Sequence, residues 1–309
     1  MNSIGWLTLL CCSTIVSCID QPQNIFILAG QSNMVGRGGL INGVLDPHVP
    51  AECQPSPKIL RLNVKLAWEV AHDPLHMGID PKVVGIGPGM SFANTMLAKD
   101  PTIGVIGLIP CAIGGTKIDE WAKGMKLYND MIDRSKAAIK DGGALRALLW
   151  YQGESDTKFL QDTESYKAKF EKFIADVRAD LQMPTLPVVQ VLITSGDGFV
   201  EEWRANQQAI KVANLKQVDA KGLELLTDNV HLSTAGEGNE RVNNEGVVER
   251  KVETADYRKP AGEEEEPRPE KVAVTHLVHD DNNAGAAAKV AEKLPAVSEA
   301  VGDTISRMQ

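Results

Sequence analysis

The sequence predicts an α/β fold: a mostly parallel sheet of about five strands with helices on both faces. Three observations predict it. Short apolar runs alternate with helix-length amphipathic stretches. The runs are continuously apolar, as strands covered on both faces are, and do not alternate. Polar, glycine-bearing segments follow the runs, where an open parallel sheet binds its ligands.

The strands expected are Ile25–Ala29, Ile103–Ile109, Leu145–Tyr151 and Val188–Ile193, with a weaker fifth at Lys216–Val218. Between them, helical spacing marks Met90–Ala98, Leu127–Lys140, Asp162–Leu181 and Val200–Asn214. In Asp162–Leu181 the apolar stripe runs through Tyr166, Phe170, Phe173, Ile174 and Val177. The stretch from Gly39 to Pro88 is irregular and reads as an excursion over the top of the sheet, with a possible strand at Ile59–Leu62.

Both ends of the chain depart from this pattern. Residues 1–18 hold no charged side chain, and Ile4 to Val16 has the length of a secretory leader rather than a membrane span. A secreted or extracellular protein is expected, with the cytoplasm as the alternative because the leader lacks a basic start. Residues 245–309 carry 14 of the 41 acidic residues and neither Phe nor Trp, which predicts a mostly disordered acidic tail. The globular domain is expected over residues 24–240.

Charge excludes one class of partner. The net charge is −9 and no Lys/Arg stripe appears, so no nucleic-acid footprint is expected. No membrane contact is expected either. Outside the leader only Cys53 and Cys111 remain, too few for a disulfide framework or a zinc site. His72 and His76 stand four apart, but Pro74 breaks the helix that would align them as a metal pair. The "GIGPGM" segment (Gly85–Met90) lacks a dinucleotide register and reads as a turn opening a helix at Pro88.

The chemistry is expected at the strand ends. The first strand runs into Gly30-Gln31-Ser32-Asn33, the second into "PCAIGGT", the third into "QGESD" and the fourth into "TSGDG". Acyl transfer by a serine needs a base, a carboxylate to hold that base, and donors for the oxyanion. His231 has a carboxylate just before it, Asp228, and lies after the sheet. Three residues of separation let the carboxylate fold back to Nδ1 and leave Nε2 facing Ser32.

The segments "IFILAGQSNMVGRGG", "GIGPGMSFA", "GLIPCAIGGTKIDEW", "LLWYQGESD" and "DNVHLS", in this order, resemble the plant carbohydrate esterases with a sialate O-acetylesterase or acetyl-xylan-esterase-type domain. These belong to the SGNH (GDSL-like) hydrolase superfamily. The resemblance spans about Asn24 to Thr234. It implies a flavodoxin-like, three-layer α/β/α sandwich, a serine esterase acting on an acetylated carbohydrate, and no cofactor or metal. By position it implies Ser32 as nucleophile, His231 as base and Asp228 as the orienting acid, with Glu154 of the "QGE" segment as the rival acid. It implies an oxyanion hole from Ser32, the Gly114–Gly115 loop and Gln152. A glycan-binding but inactive relative, or a lipid or aryl esterase on the same fold, are the alternatives. One departure is visible: the family continues after its histidine into an apolar helix, whereas "STAGEGNERVNNEG" follows here.

Overall fold

A computed structural model describes residues 21–41, 43–45 and 49–233. The expected leader and the acidic tail fall outside the described residues, as does the place of the family's last helix.

The described chain runs β1 (Asn24–Gly30), α1 (Ser32–Val35), β2 (Leu40–Ile41), β3 (Val44–Leu45), β4 (Ile59–Leu62), β5 (Trp68–Val70), α2 (Pro88–Lys99), β6 (Ile106–Pro110), α3 (Lys126–Ala138), β7 (Ala144–Tyr151), α4 (Leu160–Asp180), β8 (Val188–Leu192), α5 (Val200–Gln208) and β9 (Leu215–Asp219). Seven strands form one sheet in the order β5-β4-β6-β1-β7-β8-β9, and β2 pairs with β3 apart from it. Only β5 runs antiparallel, against β4; every other pairing in the sheet is parallel.

The expected count of about five strands is therefore too low. The irregular excursion supplies β4, at the possible strand Ile59–Leu62, and β5, which no apolar run marked; both extend one edge of the sheet. Their signal is weak because both are short and β4 hides a charge. Arg61 in β4 is buried, bonded to Glu69 of β5 at 2.7 Å and to the carbonyls of Pro74 and Leu75. Two boundaries also move. β6 starts at Ile106 because Gly104, at φ +79°, turns the chain first. α5 stops at Gln208, since the chain must reverse through Asn214 (φ +54°) to enter β9.

β1 lies at the centre of the sheet and all seven of its residues are buried. Its alternate side chains feed two cores. On one face Phe26 meets Phe92 of α2 edge to face, with ring centres 5.0 Å apart. On the other, Trp150 of β7 packs on Trp121 at 5.2 Å and on Phe173 of α4 at 4.7 Å. Tyr166 of α4 then meets Trp203 of α5 at 4.4 Å. Each such aromatic pair adds about 0.5–1.5 kcal/mol beyond the area it buries. α4 can reach this core because its buried residues (Thr163, Tyr166, Phe170, Phe173, Ile174, Val177) recur at three- and four-residue steps. Helices on both faces of a mostly parallel sheet make the three-layer α/β/α architecture. It points the carboxyl ends of β1, β6, β7 and β8 to one edge, and the polar segments collect there.

Candidate active site

β1 ends at Gly30, whose φ of +132° and contact with β7 admit no side chain. A Cβ there would lie 2.1 Å from the Tyr151 carbonyl oxygen. The chain leaves the strand through Gln31, whose N–H donates to that same carbonyl at 2.9 Å, and enters the one-turn helix α1 at Ser32. The nucleophile candidate is thereby fixed by the longest of the fully buried strands of the sheet. Ser32 itself is only 4% exposed.

The loop after β9 brings the other two groups. Ser32 Oγ and His231 Nε2 are 2.9 Å apart, and His231 Nδ1 lies 2.6 Å from Asp228 Oδ2. An ionised carboxylate only accepts, so Nδ1 carries the proton and Nε2 is free to accept from the serine hydroxyl. Asp228 Oδ1 accepts the N–H groups of Val230 and His231, each at 2.9 Å. Burial alone would raise the Asp228 carboxyl. The bonds from His231 and from the Val230 N–H outweigh it and hold the group below the usual carboxylate range.

Glu154 stands elsewhere. Its Oε1 accepts from Asn33 Nδ2 at 2.6 Å; among the described residues its Oε2 has no hydrogen-bond partner, and no hydrogen bond joins it to His231. Burial pushes its carboxyl up to about 7, opposed by its own backbone N–H and Asn33.

Two expected oxyanion donors are already engaged. The Gln152 amide donates to Thr116 O at 2.9 Å, Asp156 Oδ2 at 2.5 Å and Gln31 Oε1 at 3.2 Å, and the side chain is fully buried. Its N–H groups tie the "QGESD" turn to the glycine loop and are not offered to a ligand. The Gly114 N–H donates to Asp80 Oδ2 at 3.1 Å. Asp80 is buried, pairs with Arg37 at 3.3 Å and accepts the Lys82 N–H, so it anchors the loop. A Cβ at Gly114 would crowd the Arg37–Asp80 pair, at 2.6 Å from Arg37 Nη2 and 3.1 Å from Asp80 Oδ2. By contrast, the N–H groups of Ser32 and Gly115 have no hydrogen-bond partner among the described residues.

Three contributors went unassigned in the sequence. Asn33 and Ser195 bond the backbone beside His231, and Asp80 anchors the glycine loop. Asn33 and Ser195 do sit in strand-end segments, which is their only signal; Asp80 has none. Neither the histidine pair nor the Gly85–Met90 turn supplies a group to the Ser32–His231–Asp228 cluster. His76 is fully enclosed, and burial drives its imidazole down to about 3. Pro88 opens α2 behind Gly87. An apolar groove between α2 and the sheet, lined by Leu28, Leu149, Val189, Val191 and Leu232, includes neither Ser32 nor His231.

No described helix is long and apolar enough to cross a membrane. The model of the carbohydrate esterases of the sialic acid-specific acetylesterase type matches residues 22–240. A probable carbohydrate esterase of Arabidopsis thaliana is 49% identical over 221 residues, which is 69% of this chain and 85% of that protein. The 1.6 Å X-ray structure of an Arabidopsis thaliana protein matches with a TM-score of 0.67 and 48% identity, covering 69% of this chain and 92% of the other. The crystal structure of NanS shares the fold, with a TM-score of 0.54 and 20% identity over 68% of this chain and 83% of NanS. With its strand-end serine and its family match over most of its length, the chain belongs to the carbohydrate esterase family of sialic acid-specific acetylesterase type and is a carboxylic ester hydrolase.

Proposed function

We propose that this esterase removes O-acetyl groups from a carbohydrate by acyl-enzyme chemistry at Ser32. The observation that carries the reading is the unbroken chain Ser32 Oγ–His231 Nε2 (2.9 Å) and His231 Nδ1–Asp228 Oδ2 (2.6 Å).

Ser32 Oγ attacks the acetyl carbonyl carbon while its proton passes to His231 Nε2. Asp228 stabilises the imidazolium that forms. The carbonyl oxygen becomes an oxyanion, and the N–H groups of Ser32 and Gly115 serve it as donors, since neither has a partner among the described residues. Collapse breaks the C–O bond to the sugar, and His231 returns the proton to the leaving alkoxide. Water, activated by the same imidazole, then releases acetate and restores Ser32. Acetylated xylan and O-acetylated sialic acid are the substrate classes that the family suggests. Residues 1–18 suit a cleaved leader, which would place the enzyme outside the cell.

The test is acetate release from acetylated xylan, O-acetyl sialic acid and a small aryl acetate, by the wild-type chain and by Ser32→Ala. The wild type releases acetate from at least one sugar ester. Ser32→Ala loses on the order of 10⁴-fold or more in kcat with its thermal melt unchanged. Near wild-type turnover in a folded Ser32→Ala protein would contradict the mechanism.

A further inference from the structure

We propose that Glu154 is a positioning residue: through Asn33 it holds the loop that carries His231 in register with Ser32. The proposal rests on the Ser32–His231–Asp228 reading above.

The loop's own bonds do not secure it to the nucleophile. Leu226 N–H donates to His231 O at 2.7 Å and Ser233 N–H to Glu224 O at 3.0 Å, and both bonds close the loop on itself. The ties across to the nucleophile's side fall on the two residues flanking His231. Asn33 Oδ1 accepts the Leu232 N–H at 3.0 Å, and Asn33 Nδ2 donates to the Val230 carbonyl at 3.2 Å. One side-chain amide, next to Ser32, thus grips the backbone on both sides of the base. Ser195 Oγ donates to the same Val230 carbonyl at 2.6 Å.

An amide can make these bonds in one orientation only. Rotated by 180°, Asn33 would turn its oxygen on the Val230 carbonyl and its NH₂ on the Leu232 N–H, acceptor against acceptor and donor against donor. Glu154 Oε1, at 2.6 Å from Nδ2, rejects the rotated form for the same reason. It thereby selects the orientation that grips the loop. The cost of this arrangement is visible. Glu154 is 4% exposed, and its Oε2 is buried without a partner among the described residues. Burying an unsatisfied carboxyl oxygen destabilises a fold. A carboxylate accepts from the Asn33 amide more strongly than a neutral amide in its place would.

Four full-length variants test this: Glu154→Gln, Glu154→Leu, Asn33→Asp and Ser32→Ala. Steady-state kinetics on an aryl acetate are read beside backbone hydrogen exchange of residues 224–233. Glu154→Gln keeps an acceptor toward Asn33 and should lose less than about 10-fold in kcat. Glu154→Leu leaves the amide unoriented and should lose about 10- to 100-fold in kcat, the scale of a misplacement near 1 Å, with KM little changed. Asn33→Asp sets a second carboxyl against Glu154 and the Val230 carbonyl, and should lose more. In Glu154→Leu and Asn33→Asp the Leu232 N–H should exchange faster, while Ser32→Ala should leave its exchange unchanged.

Wild-type kcat in Glu154→Leu, or a loss of kcat with Leu232 exchange unaltered, overturns the proposal. So does a Glu154→Gln loss near 10⁴-fold, which would make Glu154 the acid that acts on the imidazole. Should Glu154→Leu fail to fold, Asn33→Asp with exchange at Leu232 decides the same link. Full activity in Ser32→Ala would instead overturn the underlying mechanism, whatever the loop does.

Discussion

The two halves of the candidate site are built in different ways. Ser32 follows the longest of the fully buried strands of the sheet, hydrogen-bonded into β7 through Gln31 and flanked by β6 and β7. His231 and Asp228 lie on a loop beyond the edge strand β9, with side chains 24% and 46% exposed. Ser32 inherits its position from the hydrophobic core. His231 is positioned by a handful of polar bonds: Asp228 to its own loop, Asn33 and Ser195 across to it. Disturbing the buried strand that carries Ser32 should cost stability as well as activity, whereas disturbing the loop that carries His231 should cost activity alone.

The largest break in that comparison is Asp228→Asn. The exposed, near-isosteric change should leave the melt within about 1 °C of wild type, in keeping with surface substitutions of ±0.5 kcal/mol. The amide favours the wrong imidazole tautomer, and kcat should fall by up to roughly 10⁴-fold. A loss smaller than that of Glu154→Gln would move the acid to the "QGE" segment.

The next effect is smaller. Ser195→Ala removes one of the two side-chain donors on the Val230 carbonyl and leaves Asn33 in place. A drop of about 2- to 10-fold in kcat is expected, since one neutral hydrogen bond contributes about 0.5–1.5 kcal/mol. Stopped-flow or steady-state kinetics with a melt check it. A fall in stability without a fall in kcat would show that Ser195 serves the core and not the loop.

The smallest effect is in the pH dependence of stability. Burial raises the carboxyls of Asp73, Glu154 and Asp156 to about 7 each, well above their unfolded values. The folded chain then keeps protons that the unfolded chain releases. The stability these groups contribute is complete below about pH 4 and is lost as pH rises through 7. Asp228, held low, acts in the opposite sense: its contribution is present above its ordinary value and is lost on acidification. Glu154→Gln removes one of the three raised groups. Its melting temperature relative to wild type should therefore increase between pH 4.5 and pH 8. A constant difference across that range would mean that Glu154 does not titrate there.

The same contrast explains what could be read from the sequence. β1, β6, β7 and β8 announce themselves because burial on both faces demands continuous apolar runs, whereas β9, half-exposed at the other edge, leaves only a weak run. β5, three residues of "WEV" at an antiparallel edge, carries no such signature. At the site, Asp228 and His231 are legible because their contact spans three residues. The grip of Asn33 on Val230 and Leu232 spans 197 and 199, and nothing in a local pattern encodes it. Gln152 was misplaced for the same reason. Its position at a strand end suggested an outward-facing donor, but its partners Thr116 and Gln31 come from distant segments and hold it inside.

The central claim is that Ser32 is a nucleophile activated by His231, and active-site phosphonylation tests it most directly. The full chain is treated with an aryl fluorophosphonate, and the adduct is located by peptide mass spectrometry, with His231→Ala as the control. The account predicts a single phosphonyl group on the peptide containing Ser32, formed rapidly in the wild type and at least about 10²-fold more slowly in His231→Ala. An adduct on another serine, or labelling of Ser32 at the same rate without His231, would contradict it.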